Sequence, residues 1–296
     1  MIALHRHASD HPMNLCTHIT SQGISIPYLQ FPELEALGMI HHVFSTRLGG
    51  SSRGIFESMN LSFTRGDRTE DVRENYHRIA SLMEAPEDQF VLSMQTHTTN
   101  IRTVTSQDAG MGLTKPLTYQ DVDGLITNVP GLVLSIFAAD CTPLLFVDPV
   151  HHAIGASHAG WRGTVNNIGA KTIERMHEVY GTMASDLHCA IGPSISKEHY
   201  EISEEVAQPF LELFKDRASE ILIDNGFNPD GEHKYHLDLW AANRILLEKA
   251  GVTASRIYVT DLCTYENHDL LFSHRYTRGQ RGNNGVFIKI KETSQC

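Results

Sequence analysis

The sequence predicts a mixed α/β (α+β) fold, a single domain of layered β-sheets flanked by helices. Two observations carry that expectation. Short runs rich in β-branched and aromatic residues, separated by turn residues, follow one another between His41 and Ser157, and four longer segments read as helices. A third observation limits the architecture: no linker rich in Pro, Gly or Ser divides the 296 residues, and no repeat of roughly 20 to 50 residues is visible.

Taken in order, residues 1–22 show no clean period and are expected to form a poorly tied-down N-terminal leader, with one domain over 23–296. Residues 41–46 read as a strand that runs into the glycine-rich segment 47–54. A helix is expected over 69–83, where Val72, Tyr76, Ile79 and Met83 recur at helical steps and Glu70, Asp71 and Glu74 suit its N-terminal end. Strands at 90–94 and 101–105 flank the polar stretch 95–100. Further strands are expected at 122–127, 132–138, 144–147 and 153–157. A helix over 164–180 carries Val165, Ile168, Ile173, Met176 and Val179 as its apolar stripe. The last third offers a strand at 187–191, helices at 203–215 and 237–250, the second ended by Gly251, and strands at 256–260 and 285–290.

Composition excludes several classes. With 41% hydrophobic and 20% charged residues, 22 Gly and 11 Pro, disorder, collagen-like and coiled-coil readings fail. The net charge is −11 and the Lys and Arg residues are scattered, so no nucleic-acid partner is expected. No apolar run approaches the roughly 18 residues of a membrane span. His5, Arg6, His7 and Asp10 stand where a secretory signal would place an apolar core, which points to a cytoplasmic location. Five cysteines without a CxxC pair fit reduced thiols.

The 18 histidines raise the question of where imidazoles gather beside a thiol. Cys141 and His158 each lie at the end of an expected strand, and neighbouring strand ends bring side chains together. Read separately, Cys141 is equally a small buried hydrophobe and His158 a hydrogen-bonded strand-end residue. His97, in Gln95-Thr96-His97, is the best third member. The set is then His2Cys, the ligand type and number of a zinc centre with one open position, and its spacing is too long for a zinc finger. Arg47, before Gly49-Gly50, and Arg162, between Gly160 and Gly163, are candidates for an anion site. His41-His42 and His151-His152 read as surface or strand-edge residues. Gly50 to Gly54 matches G-x-S-x-G without a clear helix or partners, and the H-x-E with P-C-x-x-C deaminase signature is absent.

In chain order stand Phe44-Ser45-Thr46-Arg47-Leu48-Gly49-Gly50, Ser58-Met59-Asn60-Leu61, Gln95-Thr96-His97 and Asp121-Val122-Asp123-Gly124-Leu125-Ile126-Thr127. There follow Ala139-Asp140-Cys141-Thr142-Pro143, His158-Ala159-Gly160-Trp161-Arg162-Gly163 and Ala190-Ile191-Gly192-Pro193, then Cys263-Thr264 and Phe272-Ser273-His274-Arg275 before Gly279 to Gly285. This series resembles the YfiH-type family, called multicopper polyphenol oxidase or laccase-domain proteins and described as purine nucleoside phosphorylases. The resemblance spans about residues 24–291. It implies a metal, Zn2+ with Cu2+ as the other possibility, held by His97, Cys141 and His158. It also implies phosphorolysis of adenosine, inosine and guanosine, cleavage of methylthioadenosine and hydrolytic deamination of adenosine. Arg47, Asn60, Gln95 and Arg162 fall in its motifs and are taken as substrate-binding residues, Arg47 and Arg162 for phosphate. Met59 departs from a position often occupied by Leu. Three alternatives stand beside this reading: a cysteine hydrolase using Cys141 and His158, a copper-dependent polyphenol oxidase, and a non-catalytic metal-stabilised scaffold. The number of copies in the assembly is not fixed by the sequence.

Overall fold

Strands form where the β-rich runs predict them, and the computed structural model of the chain, which describes residues 3–292, contains fifteen. The first third holds β1 (Asn14–Ile19), β2 (Ser25–Gln30), α1 (Pro32–Glu35), β3 (Ile40–Ser45), α2 (Thr69–Met83) and β4 (Phe90–Leu92). Next come β5 (Ile101–Thr103), β6 (Gly124–Thr127), β7 (Val133–Ala138), β8 (Thr142–Asp148), β9 (Ala153–Ala159), α3 (Trp161–Val165) and α4 (Ile168–Tyr180). The remainder is β10 (His188–Ile191), β11 (Glu201–Ser203), α5 (Glu204–Phe214), β12 (Leu222–Phe227), β13 (His233–Leu237), α6 (Leu239–Lys249), β14 (Ile257–Val259) and β15 (Asn284–Ile290).

These strands build two six-stranded sheets, ordered β1-β2-β3-β15-β7-β4 and β14-β10-β8-β9-β6-β5, and a three-stranded ribbon, β11-β13-β12. The side-chain period of two decides how the sheets pack. Along β15, Val286, Ile288 and Ile290 enter a core shared with Leu145 and Val147 of β8 and Ile154 and Ala156 of β9. Phe287, on the opposite face, packs with Val72, Tyr76, Ile79 and Met83 of α2. Leu144 and Phe146 of β8 turn away from the sandwich and pack under α4 beside Ile168, Ile173 and Met176. Helix, sheet, sheet and helix therefore stack in layers, and both faces of the central strands are buried, which explains their unbroken apolar runs. The ribbon, α5 and part of α6 close a fourth cluster around Phe210 and Leu246. The mixed α/β expectation holds.

Three expectations are corrected. The segment expected as a loose leader is tied down: β1 pairs with β2 from Asn14↔Gln30 to Ile19↔Ser25, Met13 is buried, and the His7 N–H donates to the Asp261 carbonyl at 2.8 Å. Its strand was illegible because it alternates half-buried and exposed positions at a sheet edge. The helix expected over 164–180 is two helices, since Asn167 takes a left-handed conformation (φ 60°) that Asn tolerates and a continuous helix forbids. His42 is fully buried: its Nε2 accepts the Phe31 N–H at 2.9 Å and its Nδ1 meets Glu35 Oε1 at 2.8 Å. Cys16, Cys141, Cys189 and Cys263 are free, and Cys296 lies outside the described residues. Among the described residues no helix is long and apolar enough to cross a membrane.

Candidate metal centre

The site forms where the chain crosses between the two sheets. Cys141 lies in the link from β7, in the first sheet, to β8, in the second, and His97 lies in the link from β4 to β5, which makes the same crossing. β8 and β9 are antiparallel neighbours, with Pro143 opposite His158, so Cys141 at the start of one strand meets His158 near the end of the other. The structure thus brings the three expected ligands together: their donor atoms all lie within 4.8 Å of one another. The two imidazoles meet edge to face, with centroids 5.0 Å apart.

A residue to which the sequence reading gave no role holds two of the three. Asp123, fully buried, accepts the backbone N–H groups of Thr96, His97 and Thr98 at 2.8 to 3.1 Å and the Thr98 hydroxyl at 2.9 Å. Its Oδ1 also meets His158 Nδ1 at 2.9 Å, which commits that nitrogen and leaves Nε2 for the site. The only sequence signal was an acidic pair just before a strand, Asp121 and Asp123, with nothing to say which one turns inward. The left-handed backbone at His97 (φ 66°) and at Asp140 (φ 84°) is uncommon outside Gly, and both residues are pinned. Asp140 accepts the Thr264 hydroxyl and the Arg275 N–H, each at 2.6 Å. Gly160 completes the setting: a Cβ there would stand 3.0 Å from His97 Cδ2 and 3.1 Å from Cys141 Sγ, in the space beside the ligands.

The electrostatics favour a thiolate. Burial alone would raise the Cys141 thiol, yet the charge and hydrogen bond of His158, with His97 behind it, pull it well below the usual thiol range. Burial would lower His158, but the Cys141 charge and the Asp123 hydrogen bond raise it. Against its own burial, Asp123 is held down to about 2, chiefly by the His158 hydrogen bond and then by the Thr96 N–H. With the Nε2 proton of His158 displaced by the ion, two imidazole nitrogens and a thiolate sulfur fit a borderline-soft divalent ion, with a coordination position left over.

The three ligands line a cavity of about 810 Å3. The lining combines apolar side chains, Phe63, Leu92, Leu113, Leu117 and Phe137, with the cations Arg65, Arg73, Lys115 and Arg281. Of the expected substrate contacts, Gln95 lines the cavity, its amide pinned to the Phe137 backbone by bonds of 2.6 and 2.7 Å. Asn60 lies outside the lining, fully buried, and its Oδ1 accepts the N–H groups of Ser62 and Asn283, both of which do line it.

The two expected phosphate arginines are elsewhere. Arg47 donates to the Glu57 and His268 carbonyls at 2.8 and 2.9 Å and rests on Phe272. The loop after it is no anion cradle: Gly50 N–H donates to Ser58 Oγ, Ser51 N–H to Asn75 Oδ1 and Ser52 N–H to the Ser58 carbonyl. Arg162 lies over its neighbour Trp161, 4.1 Å from the ring centroid, on a single short helix. Of the cations that do line the cavity, Arg281 falls in the stretch 279–285 that closes the resemblance, where the sequence reading gave it no role, and Arg65, Arg73 and Lys115 lie outside the motifs.

The chain matches the family model described as multi-copper polyphenol oxidoreductase laccase over residues 41–291. It belongs to that family. Within it, the chain is 35% identical over 250 residues to the purine nucleoside phosphorylase YlmD of Bacillus subtilis (strain 168), covering 84% of this chain and 88% of that one. It is 30% identical over 250 residues to adenosine deaminase RL5 of an unknown prokaryotic organism, covering 82% and 93%. The crystal structure of YlmD from Geobacillus stearothermophilus superposes with a TM-score of 0.81 at 32% identity, over 94% of this chain and all of that one. For this member of the laccase family, one cluster of three or more His, Cys and acidic ligands exists among the described residues, the His97, Cys141 and His158 set.

Proposed function

We propose that the chain is a zinc-dependent enzyme of purine nucleosides in the cytoplasm. It transfers the ribosyl group of adenosine, inosine, guanosine or methylthioadenosine to phosphate, and removes the amino group of adenosine by hydrolysis. The observation that carries this reading is the His97, Cys141 and His158 set lining a cavity of ligand size, in a chain whose relatives bear the names phosphorylase and deaminase. A divalent ion held by these three side chains would supply a Lewis acid beside the substrate. The chain's own residues do the rest. Asp123 holds the proton of His158 on Nδ1 and fixes the His97 turn, while Phe137, Leu92 and Leu113 offer a purine an apolar wall that excludes water. Gln95 shapes the cavity floor through Phe137, and Asn60 positions Ser62 and Asn283.

A second reading has one specific observation in its favour. Cys141, His158 and Asp123 stand in the order of a nucleophile, its base and an orienting carboxylate, with the thiol already lowered. His97 separates the two, because a cysteine hydrolase has no need of it. The deciding experiment measures metal in purified protein by elemental analysis, with adenosine plus phosphate turned over before and after chelation. About one zinc per chain, with adenine, ribose 1-phosphate and inosine formed and lost on chelation, is the expected result, and H97A should abolish both metal and turnover. Metal-free protein with undiminished activity, or a fully active H97A, would overturn it in favour of the cysteine nucleophile.

A further inference from the structure

Beside the ligands the cavity is cationic. Arg65, Arg73, Lys115 and Arg281 line it and no Asp or Glu does, in a chain whose 35 acidic residues outnumber its 24 Lys and Arg. Arg281, brought in by the segment that leads into β15, is only 8% exposed. Its guanidinium donates to the Gly282 carbonyl and the Asn283 side-chain oxygen, reaches His274 Nδ1 at 3.4 Å, and leaves Nε buried without a partner. It has no carboxylate in ion-pair contact among the described residues. Asp140 is close enough to act on it, but both Asp140 oxygens are taken by Thr264 and Arg275. The other nearby anion, Cys141, belongs to the ligand set. Burial and then the charge of Arg65 bring Arg281 down to about 10, so the two guanidinium groups feel each other across the cavity lining. A buried cation facing a second cation is costly unless an anion joins them.

We propose that Arg281 and Arg65 form the subsite that holds inorganic phosphate next to the metal ligands, in place of Arg47 and Arg162. The assignment rests on the phosphorolytic reading above. A phosphate oxygen held there bonds to C1′ of the ribose as the C1′–N bond to the purine breaks. The bonding pair leaves with the base, and the proton of hydrogen phosphate passes through solvent to that nitrogen, giving free base and ribose 1-phosphate. The desolvated guanidinium of Arg281 suits the task, because charge-assisted bonds to phosphate strengthen in a low-dielectric site, and the exposed Arg65 adds a second cation at the cavity lining.

The test varies phosphate in steady-state phosphorolysis by the metal-loaded full-length protein, comparing wild type with R65Q, R281Q and R281K. The KM for phosphate should rise about tenfold or more in R65Q and R281Q, the loss of one charge-assisted contact. The KM for nucleoside should move much less, the ratio of phosphorolysis to deamination should fall, and metal content should hold. An unchanged phosphate KM in R65Q and R281K overturns the assignment, and those two variants carry the test if R281Q does not fold. If wild type phosphorolyses no purine nucleoside, the activity reading has failed separately. Calorimetric titration of inorganic phosphate into wild type and R65Q then decides the subsite: binding weakened in R65Q supports it, and equal binding or none in wild type overturns it.

Discussion

Asp123 shows how much of the centre one side chain carries. Its two oxygens serve three consecutive N–H groups around His97 and the ring of His158, so a ligand on one crossing and a ligand on β9 share one anchor. Replacing it by Asn keeps the shape but turns one acceptor into a donor that faces the Thr96 to Thr98 amides. We expect D123N to lower metal affinity by about 10- to 100-fold, as loss of a ligand's supporting partner does, with the fold kept. Competition with a chromophoric chelator, alongside circular dichroism, measures both. An unaltered affinity would mean that the loop is held by other contacts. At this scale the candidate trio was legible in the sequence, because the motifs around His97, Cys141 and His158 single them out among 18 histidines and five cysteines. Asp123 was not, since a carboxylate is common and its role depends on which face of the turn it occupies.

At the scale of elements, the junction of α1 with β3 holds a buried titratable pair. Burial, ahead of the opposing Glu35 hydrogen bond and charge, lowers the pKa of His42, and the imidazole stays neutral with its proton on Nδ1. Glu35 is held well below the usual carboxylate range: burial opposes this, but the hydrogen bonds of His41 and His42 outweigh it. Both shifts have the same sign. The folded state binds fewer protons than the unfolded chain, so stability is full above the ordinary imidazole pKa of 6.5 and falls as pH drops below it. One such group contributes at most about 1.4 kcal/mol per pH unit. Denaturant unfolding of wild type from pH 7 to 5 should show this slope, and H42Q should show a smaller one; equal slopes would remove His42 from the account. Helix α2 was readable from end to end, since its buried face repeats at the helical period. The break at Asn167 was not, because Asn is allowed inside a helix and only the packed result shows the left-handed turn.

Across the whole molecule, the N-terminal segment joins distant parts. Arg6 pairs with Asp261, Met13 N–H donates to Asp261 Oδ1 at 3.0 Å, and Asn267 bonds the backbone of His5 on both its N–H and its carbonyl. The stretch thus clasped includes Thr264, which holds Asp140 beside Cys141. Removing residues 1–22 takes away β1, exposes β2 as a new sheet edge and loosens that stretch. The truncated chain should melt several degrees lower, with a cost of a few kcal/mol for the lost buried side chain and hydrogen bonds, and should hold metal less tightly. Calorimetry with metal titration checks it; an unchanged melting temperature would restore the loose leader.

The sequence by itself determined the fold class and most of the elements and pointed to the trio His97, Cys141 and His158, because alternation, helical period and the chemistry of imidazole and thiol are local properties that a single chain displays. Tertiary structure alone decided which carboxylate steadies the ligands, that β1 belongs to a sheet, and that Arg65 and Arg281 rather than Arg47 and Arg162 face the cavity. Those outcomes depend on where remote segments meet: Arg281 and Arg65 lie far apart along the chain, and the bonds of Asn60 and Leu61 to Asn283 bring their segments to one cavity. A guanidinium in a loop has the same local signature whether carbonyl groups occupy it, as at Arg47, or a buried Nε is left unpaired, as at Arg281.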